Sequence, residues 1–298
     1  MANSPELTGI LTAIITPFAD GGGIDVVALD QHVNRLVDAG VHGLVPGGST
    51  GEFTALTVEE RRTLTETCIK SAAGRIPVVA GTGDLTSKGA VELAVHAAQA
   101  GAAAVMVIPP YYEAPNLEET RELLQDIHTA SGLPIVYYNI PSISGLALSA
   151  QDIASLSDVG VKYLKDTSGN APVLTDLLFT YGQKITTFNG WDTLTFYGLA
   201  AGAKGSIWGA VNIIPELSAE LWNALAVEDD LKKGREVWEK IFPICKWLET
   251  HHYYASAIKS GMELRGWKTG GVRKPFAPLK EGSQAELAAL LETAGVKL

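Results

Sequence analysis

The sequence predicts an α/β chain folded as a (β/α)8 (TIM) barrel with a C-terminal helical extension. Three observations predict it. Eight short apolar segments alternate with helical patterns over roughly residues 9–212. Those segments are continuous apolar runs rather than polar/apolar alternations, as expected for a parallel sheet covered by helices. Ala39-Gly40, Ala100-Gly101 and Ala201-Gly202 each close a helix just before a strand, where glycine accepts the left-handed cap. Eight βα units in this length fit a closed barrel better than an open doubly wound sheet. The barrel is expected over residues 1–214 and a helical bundle over residues 215–298.

Taken in order, Gly9 to Thr16 is a β-branched run stopped by Pro17, and Leu29, Val33, Leu36 and Val37 then fall at helical spacing. Val41 to Pro46 reads as the second strand, with Thr57 and Glu60 placed as a capping box for the next helix. Ile76 to Ala80 is the third strand, followed by a helix capped at Thr86. Ala103 to Ile108 is the fourth, with a helix from about Asn116 to Ala130. Leu133 to Tyr138 is the fifth, with a short helix entered at Ser149. The sixth runs from Val159 to Lys165, and Asn170 can cap the helix after it. Ile185 to Phe188 and Lys204 to Ile207 supply the last two strands. Beyond Pro215 strand signals stop, and Leu217–Ala226, Leu231–Leu248, Tyr254–Leu264 and Gln284–Ala294 read as helices.

With 46% hydrophobic and 19% charged residues the chain can build a sizeable core. A net charge of −10 with no basic cluster argues against a nucleic-acid surface. An anionic substrate would then need local hydrogen-bond donors. Cys68 and Cys245 are the two cysteines and form no CxxC pair, so reduced core thiols are expected. Met1 to Leu7 lacks the basic-then-apolar layout of a leader, and no apolar run approaches a membrane span. A cytoplasmic protein is expected.

In such a barrel the residues that follow the strands form the site. The sixth strand is the most informative. Side chains alternate along a strand, so Val161, Tyr163 and Lys165 are expected on one face and Lys162 on the other. A lysine on the inward face is costly unless it is paired, neutral or chemically used. After the second strand, Gly47-Gly48-Ser49-Thr50-Gly51-Glu52 offers free N–H groups and two hydroxyls to an anion, or forms an ordinary polar turn. It is no P-loop, because no Lys-Ser/Thr follows at the required spacing. Tyr111-Tyr112 and Tyr137-Tyr138 end the fourth and fifth strands, with Tyr138 nearest the rim. Asn189-Gly190-Trp191-Asp192 follows the seventh, where Asp192 either binds a hydroxyl or caps a helix.

Gly81-Thr82-Gly83-Asp84 lacks the third glycine of a dinucleotide fingerprint. His251 and His252 point about 100° apart on a helix, so they cannot share one metal. Neither metal nor nucleotide is expected. The combination instead suits a 2-oxo acid. A strand-end lysine freed of its proton forms a Schiff base with the ketone, the hydroxyl-rich turn holds the adjacent carboxylate, and a tyrosine moves the proton.

GGSTGE (47–52), PPYY (109–112), YNIPSISG (138–145), KDTSGN (165–170), NGWD (189–192) and RKPFAP (273–278) occur in this order. The set resembles the dihydrodipicolinate synthase/N-acetylneuraminate lyase family over nearly the whole chain. The resemblance implies class I, Schiff-base lyases on a (β/α)8 barrel with a C-terminal helical bundle, assembled as homotetramers (dimers of tight dimers), with no metal or other cofactor. By position it implies that Lys165 forms the imine with pyruvate and that Tyr138 is the general acid/base. Gly48, Ser49 and Thr50 correspond to the pyruvate-carboxylate site, with Thr50 and Tyr112 in the proton relay and Tyr111 near the tight dimer interface. The Ile207 carbonyl corresponds to the pocket lining. Dihydrodipicolinate synthases carry an arginine where this chain has Ile143. N-acetylneuraminate lyases carry Asp-Glu where it has Asp192-Thr193, and a serine where it has Gly209. Gly190 and Asp192 are kept. The expected reaction is cleavage or condensation of a 2-keto-3-deoxy sugar acid with pyruvate as the common fragment. Synthesis of 4-hydroxy-tetrahydrodipicolinate, N-acetylneuraminate cleavage, a dehydratase or deaminase of the same family, and a non-catalytic 2-oxo-acid-binding paralogue are the alternatives.

Overall fold

Eight parallel strands alternate with helices, as expected. The computed structural model describes residues 6–298, so most of the Met1–Leu7 segment lies outside the described residues. The strands are β1 (Gly9–Thr12), β2 (Gly43–Leu44), β3 (Val79–Gly81), β4 (Ala104–Val107), β5 (Ile135–Asn139), β6 (Val161–Asp166), β7 (Thr186–Asn189) and β8 (Gly205–Trp208). Between them run α1 (Val26–Asp38), α2 (Val58–Ala72), α3 (Ser87–Ala100), α4 (Leu117–Ser131), α5 (Pro141–Ser144), α6 (Ala150–Ser155), α7 (Ala171–Phe179) and α8 (Thr195–Ala200). The extension is α9 (Pro215–Trp222), α10 (Leu231–Glu249), α11 (Tyr254–Leu264) and α12 (Glu281–Thr293).

Strand order runs β2-β1-β8-β7-β6-β5-β4-β3. The barrel closes between β2 and β3, where pairing shrinks to a Leu44–Val78 bridge. Two hydrogen bonds carry that seam, Leu44 N–H to Pro77 O at 3.0 Å and Gly81 N–H to Pro46 O at 2.8 Å. Pro46 and Pro77 have no N–H to donate, which keeps the ladder short there.

Capping chemistry sets the helix starts as the sequence predicts. Thr57 with Glu60, Asn116 with Glu119, and Ser149 with Asp152 form reciprocal capping boxes. Thr86 and Asn170 accept from Gly89 and Val173. The first extension helix differs in detail: α9 passes into a π-helical turn, Asn223–Val227, before α10 begins.

Two layers of core result. Leu11, Val45, Val79, Met106, Val136, Tyr163, Phe188 and Ile207, one from each strand or its immediate continuation, fill the barrel interior. Ile10 and Leu44 face one outer cluster, and Val105, Ile135 and Leu164 face another, packed against helices. Ile213 and Ile214 share a cluster with Ile258, Met262 and Leu287, so the extension packs continuously with the end of β8.

One detail of the parity expectation needs correction. Tyr163 lies inside the barrel and Lys162 is exposed, but Val161 packs in the outer layer with Leu164. The pairing of β5 with β6 skips a residue, Ile135 opposing Val161 and Val136 opposing Tyr163. This bulge turns the face over. Lys165 therefore shares its side with Tyr163 alone.

Candidate active site

The β6 register decides where the lysine goes. Tyr138 of β5 and Phe188 of β7 flank Lys165. Lys165 is buried, and its Nζ lies 4.0 Å from the centroid of the Tyr138 ring. No carboxylate forms a salt bridge with it among the described residues. The loop beyond is fixed by Asp166, which accepts from Asn139 Nδ2 at 2.7 Å and from Ser168 Oγ at 3.1 Å. Burial raises the Asp166 pKa, and those hydrogen bonds oppose the rise.

The strand ends enclose a cavity of about 500 Å3. Ser49, Thr50, Tyr138, Ile143, Lys165, Gly190 and Asp192, all predicted site residues, line it. Gly48 and Ile207 are buried behind its wall. Tyr111 lines the cavity edge-on to Phe53, with ring centroids 5.9 Å apart. Tyr112 stands outside it and is 86% exposed.

The cavity also exposes what the chain order concealed. Glu249 at the end of α10, Tyr253 and Tyr254 at the start of α11, and Phe276 all reach it from the C-terminal extension. The Tyr253-Tyr254 doublet was the available signal. Tyr254 donates its hydroxyl to Asp192 Oδ2. Burial pushes the Asp192 carboxyl up to about 7; Glu249 adds to this, while the Tyr254 hydrogen bond and the Lys165 ammonium oppose it. Asp192 thus neither caps a helix nor stands free.

Two glycines are needed for close approach. A Cβ at Gly209 would lie 2.5 Å from Tyr254 Cε1, 2.8 Å from its hydroxyl and 3.0 Å from Thr50 Oγ1. A Cβ at Gly190 would lie 2.2 Å from Thr167 Oγ1 and 3.0 Å from Lys165 Cε. Any side chain at 190 would collide with the amine-bearing arm.

The turn carrying Ser49 and Thr50 is braced from the C-terminal side. Glu52, in a left-handed conformation at φ 57°, is buried against Lys259 Nζ at 2.5 Å and accepts from the Arg273 N–H at 3.1 Å. Lys259 also donates to Gly271 O at 2.7 Å. Burial lowers the Lys259 pKa to about 8 against the pull of Glu52. The Gly81-Thr82-Gly83-Asp84 segment is structural: Arg61 donates to the carbonyls of Gly81 and Gly83 at 3.0 Å each.

A (β/α)8 barrel with a buried strand-end lysine opening on a cavity that Ser49 and Thr50 line has the parts that a class I, Schiff-base carbon–carbon lyase needs. The chain belongs to the dihydrodipicolinate synthetase family, whose model matches residues 6–294. It is 35% identical over 280 residues to 4-hydroxy-tetrahydrodipicolinate synthase of Nitrobacter hamburgensis, covering 94% of each chain. Its fold matches the pyruvate complex of the chloride-inhibited dihydrodipicolinate synthase from Acinetobacter baumannii, with a TM-score of 0.93 and 29% identity over 98% of this chain and 100% of that one. It matches the pyruvate complex of YagE, a prophage protein of E. coli K12, equally well, with a TM-score of 0.93 and 28% identity over 98% and 100% of the two chains. The protein is a pyruvate-dependent carbon–carbon lyase. Enzymes of the family carry pyruvate as a Schiff base on a lysine and need no cofactor. No helix among the described residues is long and apolar enough to cross a membrane.

Proposed function

We infer that the protein cleaves or condenses a 2-keto-3-deoxy sugar acid, with pyruvate bound as an imine on Lys165. In this reading the Lys165 amine attacks the 2-oxo carbon and water leaves, giving a protonated imine. Tyr138, whose ring lies beside the amine, takes the proton of the C4 hydroxyl. The C3–C4 bond breaks, its electron pair passes into the imine as an enamine, and an aldehyde leaves. Protonation at C3 and hydrolysis release pyruvate. Ser49, Thr50 and the N–H groups near Gly48 hold the carboxylate, with the Ile207 carbonyl behind. Tyr112, exposed on its own chain, completes the relay across a subunit interface in the family's tetrameric assembly, with Tyr111 close to that contact.

The observation that carries the substrate class is the balance of charge in the cavity. Among its described lining residues Lys165 is the one cation, and Asp192 and Glu249 are both acidic. Ile143, where the synthases place an arginine, is apolar. A second carboxylate on the aldehyde would find no counter-ion, whereas hydroxyls suit Asp192. Tyr254 occupies the space that a Gly209 side chain would need, which weighs against the N-acetylneuraminate pattern.

Pyruvate trapping by borohydride, read by mass spectrometry, tests the chemistry. An adduct on Lys165 is expected, and its absence under conditions that trap a family member refutes lyase action through this residue. Screening 2-keto-3-deoxy acids against the pyruvate/aspartate semialdehyde pair tests the substrate. The names of the relatives favour the second reading, 4-hydroxy-tetrahydrodipicolinate synthesis. Efficient condensation with aspartate semialdehyde would overturn the weight given to Ile143.

A further inference from the structure

Glu249 reaches the cavity from the last turn of α10, and the chemistry above makes no use of it. Thr193 anchors its carboxylate: Thr193 N–H donates to Oε1 at 2.8 Å and Thr193 Oγ1 to Oε2 at 2.9 Å. Thr193 belongs to the same turn as Asp192, so the two acidic groups are carried side by side. A carboxylate accepts about four hydrogen bonds. Thr193 uses two. No lysine, arginine or histidine forms a salt bridge with Glu249 among the described residues. Burial raises its pKa, opposed by Thr193 and Trp191.

We propose that Glu249 is a specificity-determining residue of the cavity, accepting hydrogen bonds from the hydroxyls of a neutral polyhydroxylated chain. The proposal rests on the lyase reading for which end of the substrate meets Lys165. Ligand chemistry decides the rest. A distal carboxylate or phosphate would face Asp192 and Glu249 with no cation but Lys165, which the reacting end of the substrate already occupies. A purely apolar tail would strip water from Glu249 without replacing it, a costly exchange. Hydroxyl groups donate to the Glu249 carboxylate and so replace the water it loses. The anchoring to Thr193 matters for selectivity. Both carboxylate oxygens are already fixed in place, and little side-chain entropy remains to be lost on binding.

Calorimetric binding of three probes tests this without requiring turnover: D-gluconate, hexanoate and 6-aminohexanoate. The wild type is expected to bind gluconate more tightly than either of the others. E249Q keeps one oxygen for the Thr193 N–H but turns the other into a donor. It should weaken gluconate about tenfold, the scale of one charge-assisted hydrogen bond, with hexanoate changing less than twofold. An isosteric variant, T193V, removes the Oγ1 donor, loosens the anchor and should weaken gluconate in the same direction. Equal binding of gluconate by wild type and E249Q overturns the proposal. Preference of the wild type for 6-aminohexanoate or hexanoate over gluconate overturns it too. Borohydride trapping of pyruvate on Lys165 does not involve Glu249, so failure of the lyase reading appears separately, as a missing adduct.

Discussion

Asp192 makes stability depend on pH in a sense opposite to most carboxylates. Its folded pKa is raised from an ordinary 3.8 to about 7, mainly because burial disfavours the charge. Between these values the folded protein holds a proton that the unfolded chain releases. Stability from this group is therefore fully present below about pH 4 and is lost as pH rises through 7. From pH 5 to pH 8 the change spans nearly two pH units of differential protonation, or about 2.5 kcal/mol at 1.36 kcal/mol per unit. Asp192→Asn mimics the protonated acid and can still accept from Tyr254. Urea unfolding of both proteins at pH 5 and pH 8 isolates the effect, since other titrating groups are common to both. The variant should gain about 2.5 kcal/mol on the wild type between those pH values. An unchanged difference would refute the reasoning and show that Asp192 is ionised throughout.

Gly209→Ser should push Tyr254 off Asp192, at a cost of about 1–3 kcal/mol for overpacking, visible as a lower Tm and lost selectivity for hydroxylated substrates. Lys259→Met leaves Glu52 buried without its partner, and chemical denaturation should show a loss of about 3–5 kcal/mol. Tyr138→Phe should slow turnover by about a hundredfold or more while pyruvate remains trappable on Lys165. Glu60 is held down to about 2, first by its hydrogen bond from Arg273. Its stabilisation is present above pH 4.5 and is lost as pH falls toward 2, so Glu60→Gln should matter at pH 7 and much less at pH 2.5.

The parts of the fold that depend on local chemistry were legible in the sequence. The capping box at Thr57, the helix start near Asn116, the Ala-Gly helix ends and the run of eight apolar strands each report a short-range preference. The rim residues were legible because position at a strand end follows from the strand itself. The bulge in β6 was not, since Val161 and Tyr163 both suit a buried strand face and only pairing with β5 distinguishes their sides. Glu249, Tyr254 and Phe276 were hidden for a similar reason. Helical periodicity places α10 and α11 as amphipathic elements but carries no information on which turn meets the barrel mouth. Tyr112 is another case: its position in the motif was visible, but its exposure is a fact of the folded chain.

The brace between Glu52, Lys259 and Arg273 has a consequence for synthesis. The ribosome makes Ser49, Thr50 and even Lys165 long before the residues that hold their surroundings in place. Until Lys259 emerges, Glu52 has no buried counter-ion, and until Phe276 emerges the cavity lacks a wall. A nascent or truncated chain ending short of α11 therefore carries the reactive lysine without the enclosure that directs it. Competence arrives late and all at once, with the final fifty or so residues.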